Sequence, residues 1–456
     1  MARFPLFSTA QKGRSPRVSS QRRVNLYGDF RQDGDRNNLV FYNTAGLTLF
    51  ANLGDEPIRG ARALSETLYC VHRGTFYSID NAGTATSQGS LDTSSGRVGI
   101  ADDGNVIVIV DGDNGYTYTI ASDTFAKITD GDFPGADTVD YQSGYFVVNK
   151  PDTGQFFISE NGTDWDALDF ASAESFPDDL VSVWVDRGQV VLFGGKSTEF
   201  WSNVGTTDFP YQRVSGAVVE YGLAARWSLA KAGNTTIFLG KNRTGEVEPI
   251  MLDGYTPVPI GNSDVEYLIN NYASVSDATA LAYRYAGHTF YQLNFPSAGK
   301  SWLYDLNSRL WSELEYGIKE RHRAEIGVEY LERIVVTDYQ NGRLYRLDAD
   351  TYTDNGQLVA RELVGRHIFN EEYVSVSRLW VDMETGGGGD THQAMLSISK
   401  DGGRTWGAEF WRDIGAIGEY GKRAVWWTLG AAYEWTFRVR FTEDAQIAIT
   451  GAWVDA

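Results

Sequence analysis

A single cysteine, Cys70, stands among the 456 residues, so no disulfide can form within the chain and a disulfide-stapled fold is excluded. Folding in a reducing cytoplasm is the expectation, with Cys70 as a small core residue inside the apolar run LYCV. Prolines number 11 and methionines four. No apolar run approaches the roughly 20 residues that a membrane-spanning helix needs. The opening MARFPLFSTAQKGRSPR lacks the apolar stretch of a signal peptide. Positive charge is also in short supply: 40 Lys+Arg against 60 Asp+Glu give a net charge of −20 and a pI of about 4.7. That balance argues against tight, open-faced binding to nucleic acid. It leaves open a passage through which DNA slides without adhering.

What is plentiful is glycine, at 49 residues, and aromatic rings, at 13%. With few long Leu/Ala/Glu/Lys runs, this composition points to an all-β chain. Residues 156–254 set the grammar. Leu180 to Val185, Gln189 to Phe193 and Thr198 to Trp201 are short apolar runs joined by Asp186-Arg187-Gly188 and Gly194-Gly195-Lys196, the pattern of sequential antiparallel hairpins. Similar turns recur at Arg73-Gly74, Asp103-Gly104, Ser143-Gly144, Arg187-Gly188, Ala232-Gly233 and Ala286-Gly287, and a further unit starts near Ile326. A several-stranded repeat of about 40–50 residues is the signature of propeller blades. The repeat predicts an irregular β-propeller of about six or seven blades over residues 26–361. The aromatic third runs YTYTI, FFIS, TEFW, SWLYD and RLYRLD are its expected interblade core. From residue 362 the runs lengthen (VSVSRLWVDME, AVWWTLG, WTFRVRF), predicting a separate C-terminal antiparallel β-sandwich-like domain over 362–456, with a flexible loop at Gly386 to Gly389.

Residues 1–25 differ in charge. They hold Arg3, Lys12, Arg14, Arg17, Arg22 and Arg23 and no acidic residue. Two readings fit: a solvated tail, or an extended basic arm that docks on an acidic partner or nucleic acid. An extended docking arm is the expectation.

Few motifs suggest chemistry. Ser399-Lys400-Asp401-Gly402-Gly403-Arg404-Thr405-Trp406 matches the Asp-box pattern S-x-D-x-G-x-T-W, with a weaker echo at Ser159 to Trp165. The carboxylate accepts bonds from turn amides, Gly permits positive φ and Trp packs beneath. Sialidases carry such boxes on propellers, but the box fastens a hairpin wherever it occurs and does not fix function. Lys196-Ser197 fails as a P-loop end because Val190 stands where the first Gly is needed. Asp111-Gly112-Asp113-Asn114-Gly115 reads as a turn rather than half of a calcium loop. His72, His288, His322, His367 and His392 show no ligand spacing. No catalytic residue, metal or cofactor is assigned.

Several stretches resemble one family. They are Q-R-R-V-N-L-Y at Gln21 to Tyr27, W-D-A-L-D-F-A-S-A-E at Trp165 to Glu174, L-F-G-G-K-S-T-E-F-W at Leu192 to Trp201 and D-F-P-Y-Q-R-V at Asp208 to Val214. D-G-Y-T-P at Asp253 to Pro257, G-H-T-F-Y at Gly287 to Tyr291, the Asp-box run, I-G-E-Y-G-K-R at Ile417 to Arg423 and F-R-V-R at Phe437 to Arg440 continue the likeness. Together they resemble the packaged-DNA stabilisation, or tail-nozzle, proteins of short-tailed phages. The resemblance implies a non-enzymatic virion protein, assembled in the host cytoplasm. It implies a homo-hexameric ring below the portal and its head-to-tail adaptor, which retains packaged DNA and extends the ejection channel. Attachment of a tail needle, fibres or tailspikes is implied too, with genomic dsDNA passing through the lumen unbound. The basic arm would then dock on adaptor or portal. The alternatives are a glycan-active enzyme on a propeller, sialidase-like or a tail-associated glycosidase, and a glycan-binding propeller.

Overall fold

The computed structural model describes residues 3–15, 18–31, 39–206, 209–317, 320–384, 392–416 and 418–455. Arg17 and the Gly386–Gly389 loop lie outside the described residues. Almost all regular structure is β. The three hairpin runs expected around residue 190 are the strands Leu180–Asp186, Gln189–Gly194 and Thr198–Asn203, and Tyr211–Val219 adds a fourth.

That four-stranded meander is one blade, and the described residues hold seven such units. Blades 1 to 4 span 58–90, 99–127, 139–172 and 180–219. Blade 5 spans 222–259 and blade 6 spans 279–316. Blade 7 combines Ala324–Tyr330, Arg333–Asp338 and Arg343–Asp348 with the distant strand Gly46–Asn52. Its register runs antiparallel from Arg343↔Asn52 to Asp348↔Gly46, so an N-terminal strand closes the ring. Six of these units are sheets of their own, whereas blade 6 is hydrogen-bonded onward into the C-terminal unit.

The hydrophobic cores confirm the ring. Seven buried clusters each straddle one pair of neighbouring blades. Phe76 of blade 1 meets Tyr116 of blade 2, Phe156 of blade 3 meets Leu192 of blade 4, and Val336 of blade 7 meets Leu303 of blade 6. A blade covered on both faces needs apolar side chains pointing both ways. Its middle strands therefore read as continuous apolar runs, such as Val106–Val110 (VIVIV), rather than alternating ones. Cys70 is buried in the cluster between blades 7 and 1, and that burial pushes its thiol up to about 12.

The turn spacing now has a cause. From blade 2 to blade 6 the glycine turns join first and second strands, but Arg73-Gly74 joins the second and third strands of blade 1. The long interval before Ala286-Gly287 accommodates the helix Ser263–Asn270, the one α-helix among the described residues. Asn262 caps it, its side chain accepting from the amides of Asp264 (3.2 Å) and Val265 (2.9 Å). Val265 and Ile269 drop into the core between blades 5 and 6.

The C-terminal unit is a sandwich. Its 18-residue strand Ala424–Phe441 pairs through its first part with Ile368–Met383, and through its last residues with Arg361–Val364 and Gln393–Ser399. One strand thus crosses between two sheets that close over Leu379, Trp426, Trp435, Phe437, Phe441 and Ile449.

Two expected boundaries move. Leu26–Phe30 and Leu39–Asn43 form a hairpin that pairs with Ala448–Asp455 through Phe41↔Ile449 and Tyr42↔Ala448. They belong to the sandwich sheet, so the blades begin at Gly46 rather than at residue 26. Residues 1–25 are likewise not a detached arm where described. Arg3–Pro5 pairs antiparallel with the end of Ala448–Asp455. Arg22–Val24 lies between blade 6 and the sandwich, parallel to Leu310–Tyr316 and antiparallel to Arg361–Val364. The physical reason is apolar: Leu6 and Val24 are fully buried, and Leu6 completes the sandwich core.

Candidate assembly surfaces

Of the six basic residues expected to dock, two are already engaged inside the molecule. The Arg22 guanidinium donates to Glu313 through Nε (2.7 Å) and Nη2 (2.6 Å), and it also pairs with Glu315 and, at 3.4 Å, with Glu362. Glu362 in turn accepts from Arg440 (3.1 Å), whose other terminal nitrogen reaches Glu409 (3.0 Å). Burial works against the charge of Arg22, but bonding to Glu313 and the three surrounding carboxylates hold its pKa well above the ordinary arginine value. Arg23 is buried and donates to the carbonyls of Trp311 (2.6 Å) and Ser8 (3.0 Å); its burial lowers it to about 10. Arg22 and Arg23 therefore stitch blade 6 to the sandwich. Lys12 and Arg14 remain on the surface, Arg14 lying 5.0 Å over the Tyr267 ring.

The Asp-box residues fasten the connection between Gln393–Ser399 and Phe410–Asp413. Asp401 accepts from Ser399 Oγ (2.6 Å), Thr405 Oγ1 (2.5 Å) and the amides of Thr405 (2.9 Å) and Arg404 (3.0 Å). These bonds, those from Ser399 and Thr405 foremost, hold its carboxyl far below the usual range. Gly402 and Gly403 take φ of 74° and 88°, and Arg438 lies 4.5 Å over Trp406. The echo at residues 159–165 folds alike with Asn161 in the acid's place, its Oδ1 accepting from the amides of Thr163 and Asp164 (both 2.9 Å). The hydrogen-bonding capacity of both turns is spent locally, as in a fastener.

The residues that the sequence reading missed are exposed aromatics on the sandwich. Residues 368–378 of the strand Ile368–Met383 and the facing part of Ala424–Phe441 form a ribbon carrying Phe369, Tyr373, Trp427 and Tyr433, each 53–64% exposed. Tyr373 and Tyr433 meet edge to face at 4.8 Å, and Arg378 lies 5.5 Å over Trp427. Phe410, Trp411 and Tyr420 add further exposed rings on the same unit. Exposed large aromatics in this number make this face a candidate interaction surface, because Tyr and Trp are favoured interface anchors. One signal was present in the sequence: in Trp426-Trp427, strand alternation must send one indole inward and the other outward.

A propeller closed by an N-terminal strand, fused through blade 6 to a sandwich, is a specific pairing of modules. The family model described as "Bacteriophage P22 Gp10, beta-propeller" matches residues 3–352, and that described as "Bacteriophage P22 Gp10, beta-sandwich" matches residues 360–456. The chain belongs to this family. Among curated relatives it is similar to "Tail hub protein gp10" of Salmonella phage P22, at 22% identity over 327 residues, covering 68% of this chain and 67% of that protein. Solved structures with likeness include "YCF48 bound to D1 peptide" (TM-score 0.42, 13% identity, 71% of this chain and 100% of that one). The computationally designed Ika8 protein is comparable (TM-score 0.41, 13% identity, 72% and 100%). At these scores the structural likenesses carry no weight. The sandwich match begins one residue before Arg361–Val364, the strand at which the sandwich takes up the N-terminal segment.

Proposed function

We propose that the protein is a non-enzymatic tail hub of a short-tailed phage, and that copies form a ring, six by the family resemblance, below portal and adaptor. The observation that carries the reading is the end-to-end match of both Gp10 modules, in order, on one chain. In this reading the ring retains packaged DNA, extends the ejection channel and offers attachment to needle, fibres or tailspikes.

Two physical features support it. The Arg22 network and the shared sheet couple the modules, as suits a ring that resists the pressure of packaged DNA. An acidic body repels DNA phosphates, so the genome passes without sticking. Upward docking passes from the basic segment as a whole to its exposed members, Lys12 and Arg14, alongside the aromatic ribbon as an assembly contact. Arg3 and Arg17 stay in the proposal on charge alone.

The test is a nonsense mutation in the gene, grown on a non-suppressing host. Mostly empty heads with packaging intact are expected. Filled but non-infectious heads would instead move the protein to adsorption, where release of reducing ends from host polysaccharide would identify a glycan-active enzyme.

A further inference from the structure

At the centre of the propeller lies a cavity of about 580 Å³ lined by residues of all seven blades, within the usual size range of ligand pockets. Its charge is opposite to that of the molecule. On a chain of net charge −20, the lining carries Arg97, Arg226, Lys231 and Arg284 against one carboxylate, Glu329. Only Arg226 is neutralised at close range, by Asp137 at 2.8 Å. Arg97 lies 4.9 Å over the Trp227 ring, with Glu325 at 3.9 Å, and that carboxylate is already held by Arg321 at 2.6 Å. Arg97 Nε and Nη1 are buried with no hydrogen-bond acceptor, a state proteins rarely leave unresolved. Lys231 and Arg284 are exposed and stand in no ion pair among the described residues, although the Asp140 carboxylate lies within electrostatic range of Lys231.

The cations stand at two levels. Trp227, next to Arg226, is bridged to Thr279 at the start of Thr279–Tyr285, and Arg284 lies five residues along that strand, about 16 Å at the usual rise. Between them the walls are largely apolar, from Val183, Leu229, Leu281 and Ile326. A compact phosphate would meet one level and leave the walls unused. An extended chain with spaced carboxylates meets both.

We propose that this central cavity binds an acidic peptide segment of a partner protein, its carboxylates taken by Arg97 at one level and by Lys231 and Arg284 at the other. The site is independent of the tail reading, since it rests on the propeller alone.

The test titrates the full chain with fluorescein-labelled hexaglutamate, and with hexaglutamine as control, at low and at physiological salt. Saturable binding of hexaglutamate is expected, weakened by salt and absent for hexaglutamine. The double variant Lys231→Glu/Arg284→Glu alters exposed residues, so its melting temperature should hold while affinity falls at least tenfold; Arg97→Gln should also weaken binding. No saturable binding, or binding that both variants leave unchanged, would overturn the proposal. Displacement by tripolyphosphate at concentrations well below those of free hexaglutamate would also overturn it, and would name a phosphate ligand instead.

Discussion

The ring of blades and the seam beside it are held by different physics. Every blade interface is an apolar cluster between neighbours in sequence or, at the closure, between the two ends of the ring. The seam between blade 6 and the sandwich is instead built around a part-buried charge network. Its members are spread across the chain at Arg22, Glu313, Glu315, Glu362, Glu409 and Arg440. Apolar packing degrades gradually when a methylene group is lost. A part-buried cation with three carboxylates does not, because removing it leaves like charges facing each other. The ring should therefore tolerate change better than the seam.

The largest effect should come from removing residues 1–24. That deletes the strand between blade 6 and the sandwich and exposes the pocket of Leu6. Calorimetry should then resolve two separate transitions, the sandwich melting first. A single transition at the parent temperature would show that the segment couples nothing. Next comes Arg22→Ala, expected to cost roughly 3–5 kcal/mol. Leu192→Ala, which opens a cavity between blades 3 and 4, should cost about 3 kcal/mol. Denaturant melts of the two variants side by side sharpen the contrast, since Arg22→Ala should lose the sandwich signal first and Leu192→Ala the propeller signal.

Asp354 gives a pH handle on the region between the modules. Burial is the main cause that raises its carboxyl to about 7, with Arg361 and Arg323 opposing. The folded state then holds a proton that the unfolded chain releases near pH 4. Folding therefore binds protons between about pH 4 and 7, and this group's contribution to stability falls as pH rises through that window. Asp354→Asn should melt higher than the parent at pH 8, with the gap closing by pH 4. An unchanged gap across that range would remove Asp354 as the cause. Asp401→Ala should cost only about 1 kcal/mol, because its bonds lie in a solvated turn. Smallest in stability is Trp427→Ser with Tyr433→Ser, expected within about 0.5 kcal/mol as exposed substitutions. The same double variant should sharply lower incorporation into particles, measured by quantitative mass spectrometry.

This contrast also explains what could be read in advance. Blade hairpins announce themselves locally: Ser143-Gly144, Arg187-Gly188 and Ala286-Gly287 hold positive φ at both positions, which favours glycine. The equivalent turn of blade 7, Leu331-Glu332, also takes positive φ but without glycine, and blade 1 turns at Ser65-Glu66. Those two turns carry no glycine signal. The strand Gly46–Asn52 and the seam were not legible, because no local pattern shows that Arg22 will meet Glu313 nearly three hundred residues later. A run of basic residues reads as a solvated or docking arm until its carboxylate partners are known. The aromatic ribbon was hidden for a related reason: rings that alternate along a strand look like core until one sheet face proves to lack a cover.

The most direct measurement is an electron cryo-microscopy reconstruction of the tail in purified phage particles. The tail-hub reading predicts a closed ring of this chain on the tail axis, six copies around the DNA path, with Tyr373, Trp427 and Tyr433 buried in contacts. Absence of the chain from the particle, or its presence only as an off-axis appendage, would contradict that reading.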